Sequence, residues 1–211
     1  MSVPTELRLR NIALCGRVLG QLFSAPPGAD PCRSLLTTMA DSGWINEWPY
    51  GELSILRDIA ELLASGRDNN ADETPDEAYQ RLFIGPYALP APPWGSVYLD
   101  KDNVLFGAST LALRSWMRAN NIEMHNEGLE PEDHFGALLL LSAWLAEQHG
   151  DVLLDTLLAQ HLCPWSGRYL ELLTGNADHP LYLALAKLAR VTLTHWQREC
   201  ALDVPMLELY F

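Results

Sequence analysis

Pro131–Gln148 reads PEDHFGALLLLSAWLAEQ. Successive residues on a helix are about 100° apart, so the four leucines Leu138 to Leu141 point to every side of it. A helix that is apolar all round must be enclosed by other elements, and the spacing predicts a buried central helix starting at Pro131. The flanking sequence supplies the enclosure. Residues 5–24 place Leu7, Leu14, Val18 and Leu22, with Cys15, Leu19 and Phe23, along one helical stripe, stopped by Pro26-Pro27-Gly28. Asp30 is expected to cap a short helix with Pro31 at its first position, closed by Gly43. Residues 51–65 repeat the helical period through Leu53, Leu56, Ile59 and Leu63. Thr74-Pro75-Asp76-Glu77 is a capping box that starts a helix carrying Tyr79, Leu82 and Phe83, ended by Gly85.

Further on, Ser109 is expected to cap TLALRSWMRANN, Asp151 to cap DVLLDTLLAQHL and Pro164 to open WSGRYLELLT. A last long helix runs from Pro180 to Cys200, and Trp116, Trp144, Trp165 and Trp196 fall at core positions of these periodic segments. SVYLDKDNVLF reads as a short hairpin around Asp102-Asn103. No strands alternate with the helices, which excludes a doubly wound sheet. The expectation is all-α: one globular domain over residues 1–211, of about nine or ten helices, with an acidic, flexible loop at Gly66–Glu73.

The 211 residues are 48% hydrophobic, enough for one sizeable core. The formal net charge of −13 repels nucleic acid and anionic membrane surfaces and suits a cationic partner such as a basic peptide. Cys15, Cys32, Cys163 and Cys200 form no CxxC or paired zinc pattern, and reduced thiols of a cytoplasmic protein are expected. No apolar run approaches the ~20 residues needed to cross a bilayer, so no membrane insertion is expected.

Two segments stand outside this helical pattern. Gly85–Ser96 carries four prolines, Tyr87 and Trp94 and no charge, although surface loops are ordinarily polar. A rigid apolar loop of this kind packs under something or receives something. The second segment, Glu130-Pro131-Glu132-Asp133-His134, puts three carboxylates at the start of the leucine helix. They complement the helix dipole, or bind a metal through Glu130, Asp133 and His134, or receive a cationic group, for which arginine is the natural guest. Glu123 and Glu127 add to the field, and no Lys or Arg interrupts Asn120–Asp133. There is no GxGxxG, P-loop, HExxH or GxSxG.

Taken together and in order, YQRLFIGPYALPAPPWGSVYLD, VLFG-ST-ALR, EPEDHFGALL, CPWSGRYLE and HPLYLALAKLA resemble the TorD/DmsD family of redox-enzyme maturation chaperones. The resemblance implies an all-helical cytoplasmic protein with no catalysis and no cofactor of its own. It implies binding of the twin-arginine signal peptide of a molybdenum-cofactor reductase, of the dimethyl sulfoxide reductase type, and delay of its export until the cofactor is inserted. The twin-arginine translocase and the cofactor-insertion machinery are further implied partners. Carried onto this chain, the leader-binding positions are Tyr79, Leu82, Phe83, Pro93, Trp94, Gly95 and Tyr98, together with Glu130, Pro131, Asp133 and His134. Tyr79, Tyr87 and Tyr98 stand where family members often carry Trp. Two other readings of the acidic segment are a metal- or cofactor-handling enzyme built on Glu130, Asp133 and His134, and an assembly factor that binds the folded reductase body.

Overall fold

Proline, glycine and side-chain caps set the helix boundaries in the computed structural model, which describes residues 5–66, 72–124, 130–148 and 150–211. The helices are α1 (Thr5–Ser24), α2 (Cys32–Thr38), α3 (Leu53–Ser65), α4 (Pro75–Tyr79), α5 (Gly95–Leu99), α6 (Ala108–Ala119), α7 (Phe135–Gln148), α8 (Asp151–Leu157), α9 (Cys163–Asn176) and α10 (Pro180–Glu199). α4 and α8 each continue into one wider π turn, Gln80–Ile84 and Leu158–Leu162. No strand is present among the described residues; one isolated antiparallel bridge joins Trp94 to His134. No described helix is long and apolar enough to cross a membrane. Of the acidic loop, residues 67–71 lie outside the described residues, as does Glu127.

α7 is central, as the leucine run predicts. Leu138, Leu139 and Leu141 are buried, and α1 packs along it more closely than any other pair of helices. Three glycines allow that closeness. A Cβ on Gly16 would stand 2.7 Å from the Leu139 carbonyl, and one on Gly20 would stand 2.8 Å from the Leu140 amide nitrogen. Gly136 faces Gly20 and Ser24 in the same way. Gly16 meets Leu139 and Ala143 while Gly20 meets Gly136 and Leu140, so the two helices run antiparallel. The close crossing also shifts the buried face of α1. Ile12, Cys15, Leu19, Leu22 and Phe23 are buried, whereas Leu7 and Leu14, expected on the stripe, face outward. The core is one cluster, centred on an aromatic group in which Phe135 packs 4.9 Å from Phe23 and 4.8 Å from Tyr169, ring centre to ring centre.

Several expected starts differ. The Thr74 box forms as expected, with Thr74 N–H donating to Glu77 Oε2 at 2.8 Å and Glu77 N–H donating back to Thr74 Oγ1 at 3.3 Å. α2 begins one residue later than expected. Gly43, expected to close that helix, lies instead in a separate 3₁₀ turn, Ser42–Asn46. The expected hairpin is absent: Gly95–Leu99 is helical, and the chain turns at Asp100–Asn103 through an Asn103 N–H bond to the Asp100 carbonyl at 3.0 Å. Asp100, not Ser109, supplies the cap for α6. Its carboxylate accepts from the Ser109 backbone N–H at 3.3 Å and from the Ser109 hydroxyl at 2.6 Å. α7 begins at Phe135 rather than Pro131, because 131–134 form a turn and the Phe135 N–H goes to the Pro93 carbonyl of the proline loop. Trp165 and Trp196 are buried as expected, while Trp116 and Trp144 are only half-buried.

Candidate functional site

The second half of the proline loop and the acidic segment form one unit. Phe135 N–H donates to the Pro93 carbonyl at 2.7 Å, and Gly95 N–H donates to the Asp133 carbonyl at 3.2 Å. Proline has no N–H to offer, so the strip can pair only where Gly95 supplies the donor and Pro93 the acceptor. Pro131–His134 is a turn, closed by His134 N–H on the Pro131 carbonyl at 3.1 Å, and only His134 is bridged to Trp94. His134 faces a cleft of about 680 Å³, and Asp133 faces a separate cavity of about 380 Å³.

The larger cleft lies along α7. Its walls are Tyr79, Phe83 and Ile84 of α4 and its π turn, Glu123 and Met124 after α6, and Arg17, Gln21 and Ser24 of α1. Its floor is the α7 stripe Ala137, Leu140, Leu141 and Trp144. The π turn stacks its Phe83 on Tyr79, the last residue of α4, at 5.1 Å. It is held in place by Arg81, which forks onto Glu73 at 2.6 and 2.7 Å and donates to the Asn176 and Ala177 carbonyls at the end of α9. One end of the cleft is acidic. Glu130 is exposed there, and its Oε1 accepts from Trp94 Nε1 at 2.5 Å. The Glu130 charge also contributes to the raised pKa of the Tyr79 phenol, after burial, which pushes it up to about 12. At the other end Arg17 Nε donates to Glu147 Oε1 at 2.8 Å, and a second bond from the guanidinium completes the fork.

Asp133 sits on the other side of the strip, buried. Its Oδ2 accepts from Ser96 N–H at 2.6 Å and from the Thr110 hydroxyl at 3.0 Å, which ties α5 and α6 to the start of α7. Burial raises its pKa, and those hydrogen bonds oppose the rise. Removing the acceptor strands two buried donors. Asp133→Ala is therefore expected to cost about 2 kcal/mol, and Asp133→Asn, which keeps an acceptor, less than about 1 kcal/mol. Chemical denaturation of both variants checks this.

His134 is buried beside Trp94, with ring centres 6.1 Å apart, and burial lowers its pKa to about 4. The ring is neutral at pH 7. Between pH 6.5 and 4 the unfolded chain binds a proton that the folded chain does not. Stability therefore falls on acidification through that window, by about 1.4 kcal/mol at pH 5.5 from this group alone. Asp133, with its raised pKa, works in the opposite direction. The His134→Gln variant is expected to lose this acid-sensitive component, as read from denaturation curves at pH 7.5 and 5.5.

Comparison with known proteins fits this geometry. The family model described as "Nitrate reductase delta subunit" matches residues 48–171, which span the proline loop, the acidic segment and α7. The Tat proofreading chaperone DmsD of Salmonella typhi is 46% identical over 208 residues, covering 99% of this chain and 100% of the relative. The probable Tat proofreading chaperone DmsD of Haemophilus influenzae is 38% identical over 203 residues, 96% of this chain and 98% of its own. The chain belongs to the TorD/DmsD family. The chaperone protein YcdY of Escherichia coli K12 is a more distant relative, 28% identical over 186 residues.

Of the positions carried over from the TorD/DmsD resemblance, Tyr79, Phe83, Glu130 and His134 line one cleft, and Trp94 borders it through its bond to Glu130. Pro93 and Pro131 are buried in the strip that shapes it, their carbonyls accepting from Phe135 and His134. Leu82 is fully buried. Gly95 packs against the Trp165 indole, where a Cβ would stand 2.8 Å from Nε1. Tyr98 is also enclosed: it stacks on Trp165 at 5.4 Å and is covered by Phe211 at 5.6 Å, and its carbonyl accepts from Tyr210 N–H. Among the described residues no three His, Cys, Asp or Glu side chains converge as a metal-ligand group. Sequence reasoning missed Arg17, Gln21, Ser24, Ile84, Met124, Ala137, Leu140, Leu141 and Trp144 as cleft residues. The 3–4–3 spacing of His134, Ala137, Leu141 and Trp144 was the available signal for one shared helix face.

Proposed function

We propose that this TorD/DmsD protein is a proofreading chaperone that binds the twin-arginine signal peptide of a molybdenum-cofactor reductase catalytic subunit, of the dimethyl sulfoxide reductase type. By holding the leader it delays export until cofactor insertion and assembly are complete. It works in the cytoplasm, by binding alone. The observation that carries this is the bipolar cleft, with an acidic end at Glu130 and an apolar wall of Phe83, Ile84, Leu141 and Trp144. A twin-arginine leader has a basic segment followed by an apolar one, and the cleft offers the matching pair of surfaces. A guanidinium meets a carboxylate through charge-assisted hydrogen bonds, and aromatic walls bury apolar side chains with little entropy to lose. The net charge of −13 speeds encounter with a basic peptide and makes it salt-sensitive. The relatives named Tat proofreading chaperones support the same role.

Calorimetric titration tests it. A reductase leader peptide is expected to bind saturably, more weakly as salt rises, and to lose binding when its two arginines are replaced by alanine. A reductase body without its leader is expected not to be retained. Equal retention of the body with and without the leader would instead mark an assembly factor for the folded enzyme.

A further inference from the structure

The geometry points to a cleft that accepts its guest in one direction only, with the cationic pair at Glu130 and the following apolar residues laid along α7 toward Trp144. This rests on the cleft being the leader's site. Glu130 lies just before α7, with its carboxylate oriented by Trp94. Glu130 is exposed at this end, so its charge faces an incoming cation. The opposite end is unlike it. Because α1 runs antiparallel to α7, Arg17 is carried to the Trp144 end, where it forks onto Glu147. A second guanidinium entering there meets Arg17 as a like charge, beside a carboxylate whose charge Arg17 already neutralises.

Between the two ends the α7 floor is apolar, from Ala137 through Leu140 and Leu141 to Trp144, facing Phe83 and Ile84, while α1 adds Gln21 and Ser24 along one side. Its length sets how much of the guest it reads. From His134 to Trp144 the floor runs about 15 Å at the helical rise. That accommodates four or five residues of an extended peptide at about 3.3 Å each. The Arg17–Glu147 pair then marks where the apolar run leaves the cleft. Trp144 is in this account a specificity residue, which reads the fourth and fifth residues after the arginines and not the arginines themselves.

Photocrosslinking tests the direction. Two synthetic peptides carry adjacent arginines followed by five apolar residues, with a benzophenone side chain at the first or the fifth of these. The first-position label is expected to crosslink to residues 79–84 or 130–134, and the fifth-position label to 140–148 or to α1 near Arg17. The swapped pattern, or the same pattern for both labels, overturns the single direction while leaving the leader site standing. Absence of saturable binding by either peptide sinks the leader reading itself. A second arm uses Trp144→Ala. It is expected to weaken the five-residue peptide about tenfold, as loss of a buried aromatic contact does. A peptide with only two apolar residues after the arginines is expected to bind unchanged. Equal loss for both peptides overturns the role given to Trp144.

Discussion

Glu130→Lys is expected to weaken leader binding by a factor of about 10² to 10³ while leaving the fold intact. Loss of a charge-assisted hydrogen bond to a guanidinium costs about 1.5–3 kcal/mol, and a lysine in its place adds repulsion, giving roughly 3–4 kcal/mol in all. The fold is spared because Glu130 is exposed, at the rim of the cleft beside Trp94. Glu130→Gln keeps an acceptor for Trp94 and removes only the charge, so it is expected to lie between the wild type and Glu130→Lys. Calorimetric titration at low and high salt checks both. The difference between wild type and Glu130→Lys should shrink as salt screens the charges. An unchanged affinity in Glu130→Lys would remove the acidic end from the site.

Gly20→Val is expected to cost about 3 kcal/mol of stability and to disturb the cleft with it. A Cβ on Gly20 would lie 2.7 Å from Leu140 Cγ, 2.8 Å from Leu140 N and 2.9 Å from the Gly136 carbonyl oxygen. Two of those three atoms are backbone and cannot rotate away, so α1 must lift from α7. Overpacking of this kind costs about 1–3 kcal/mol, and a β-branched residue in a helix adds a few tenths. α1 carries Arg17, Gln21 and Ser24 into the cleft, so lifting it moves one wall. Gly167→Ala is the control. A Cβ there meets nothing within 4 Å, and alanine in place of a helical glycine is expected to stabilise by roughly 0.5–1 kcal/mol. Thermal melts of the two variants should shift in opposite directions. A Gly20→Val protein as stable as the wild type would contradict the close crossing.

The central helix was legible because its signal is local. Four consecutive leucines imply enclosure whatever the neighbours are, and α7 is enclosed. The Thr74 capping box was legible for the same reason, since its two hydrogen bonds join residues three apart. The starts that shifted depend on distant partners. Pro131 resembles a first helical residue, but the amides after it pair with Pro93 and Pro131 carbonyls, and helical bonding begins only with Leu138 N–H on the His134 carbonyl. Ser109 resembles a cap, but Asp100, nine residues earlier, takes that place. The site divides along the same line. That the proline loop and the acidic segment serve one site was implied by the family resemblance, and the two segments do bond to each other. That Asp133 and His134 would face different cavities was not foreseen, because it follows from the Pro131–His134 turn and its bridge to Trp94. The α1 wall was missed because a glycine pair four residues apart announces a close neighbour without naming it.

The seven tryptophans offer the most direct test that the α7 cleft holds the leader. Trp144 lines the cleft and Trp94 borders it at Glu130. Trp165 lies under Gly95 and Tyr98, and Trp116 packs on His161, which lines the second cavity. Indole N–H resonances in a nitrogen-15 correlation spectrum, assigned by single Trp→Phe variants, report each position separately. Saturating leader peptide is expected to shift the Trp94 and Trp144 signals and leave those of Trp165, Trp116 and Trp196 in place. Shifts at Trp165 and Trp116 with Trp144 unmoved would put the peptide beside Asp133 in the smaller cavity, and would contradict the account.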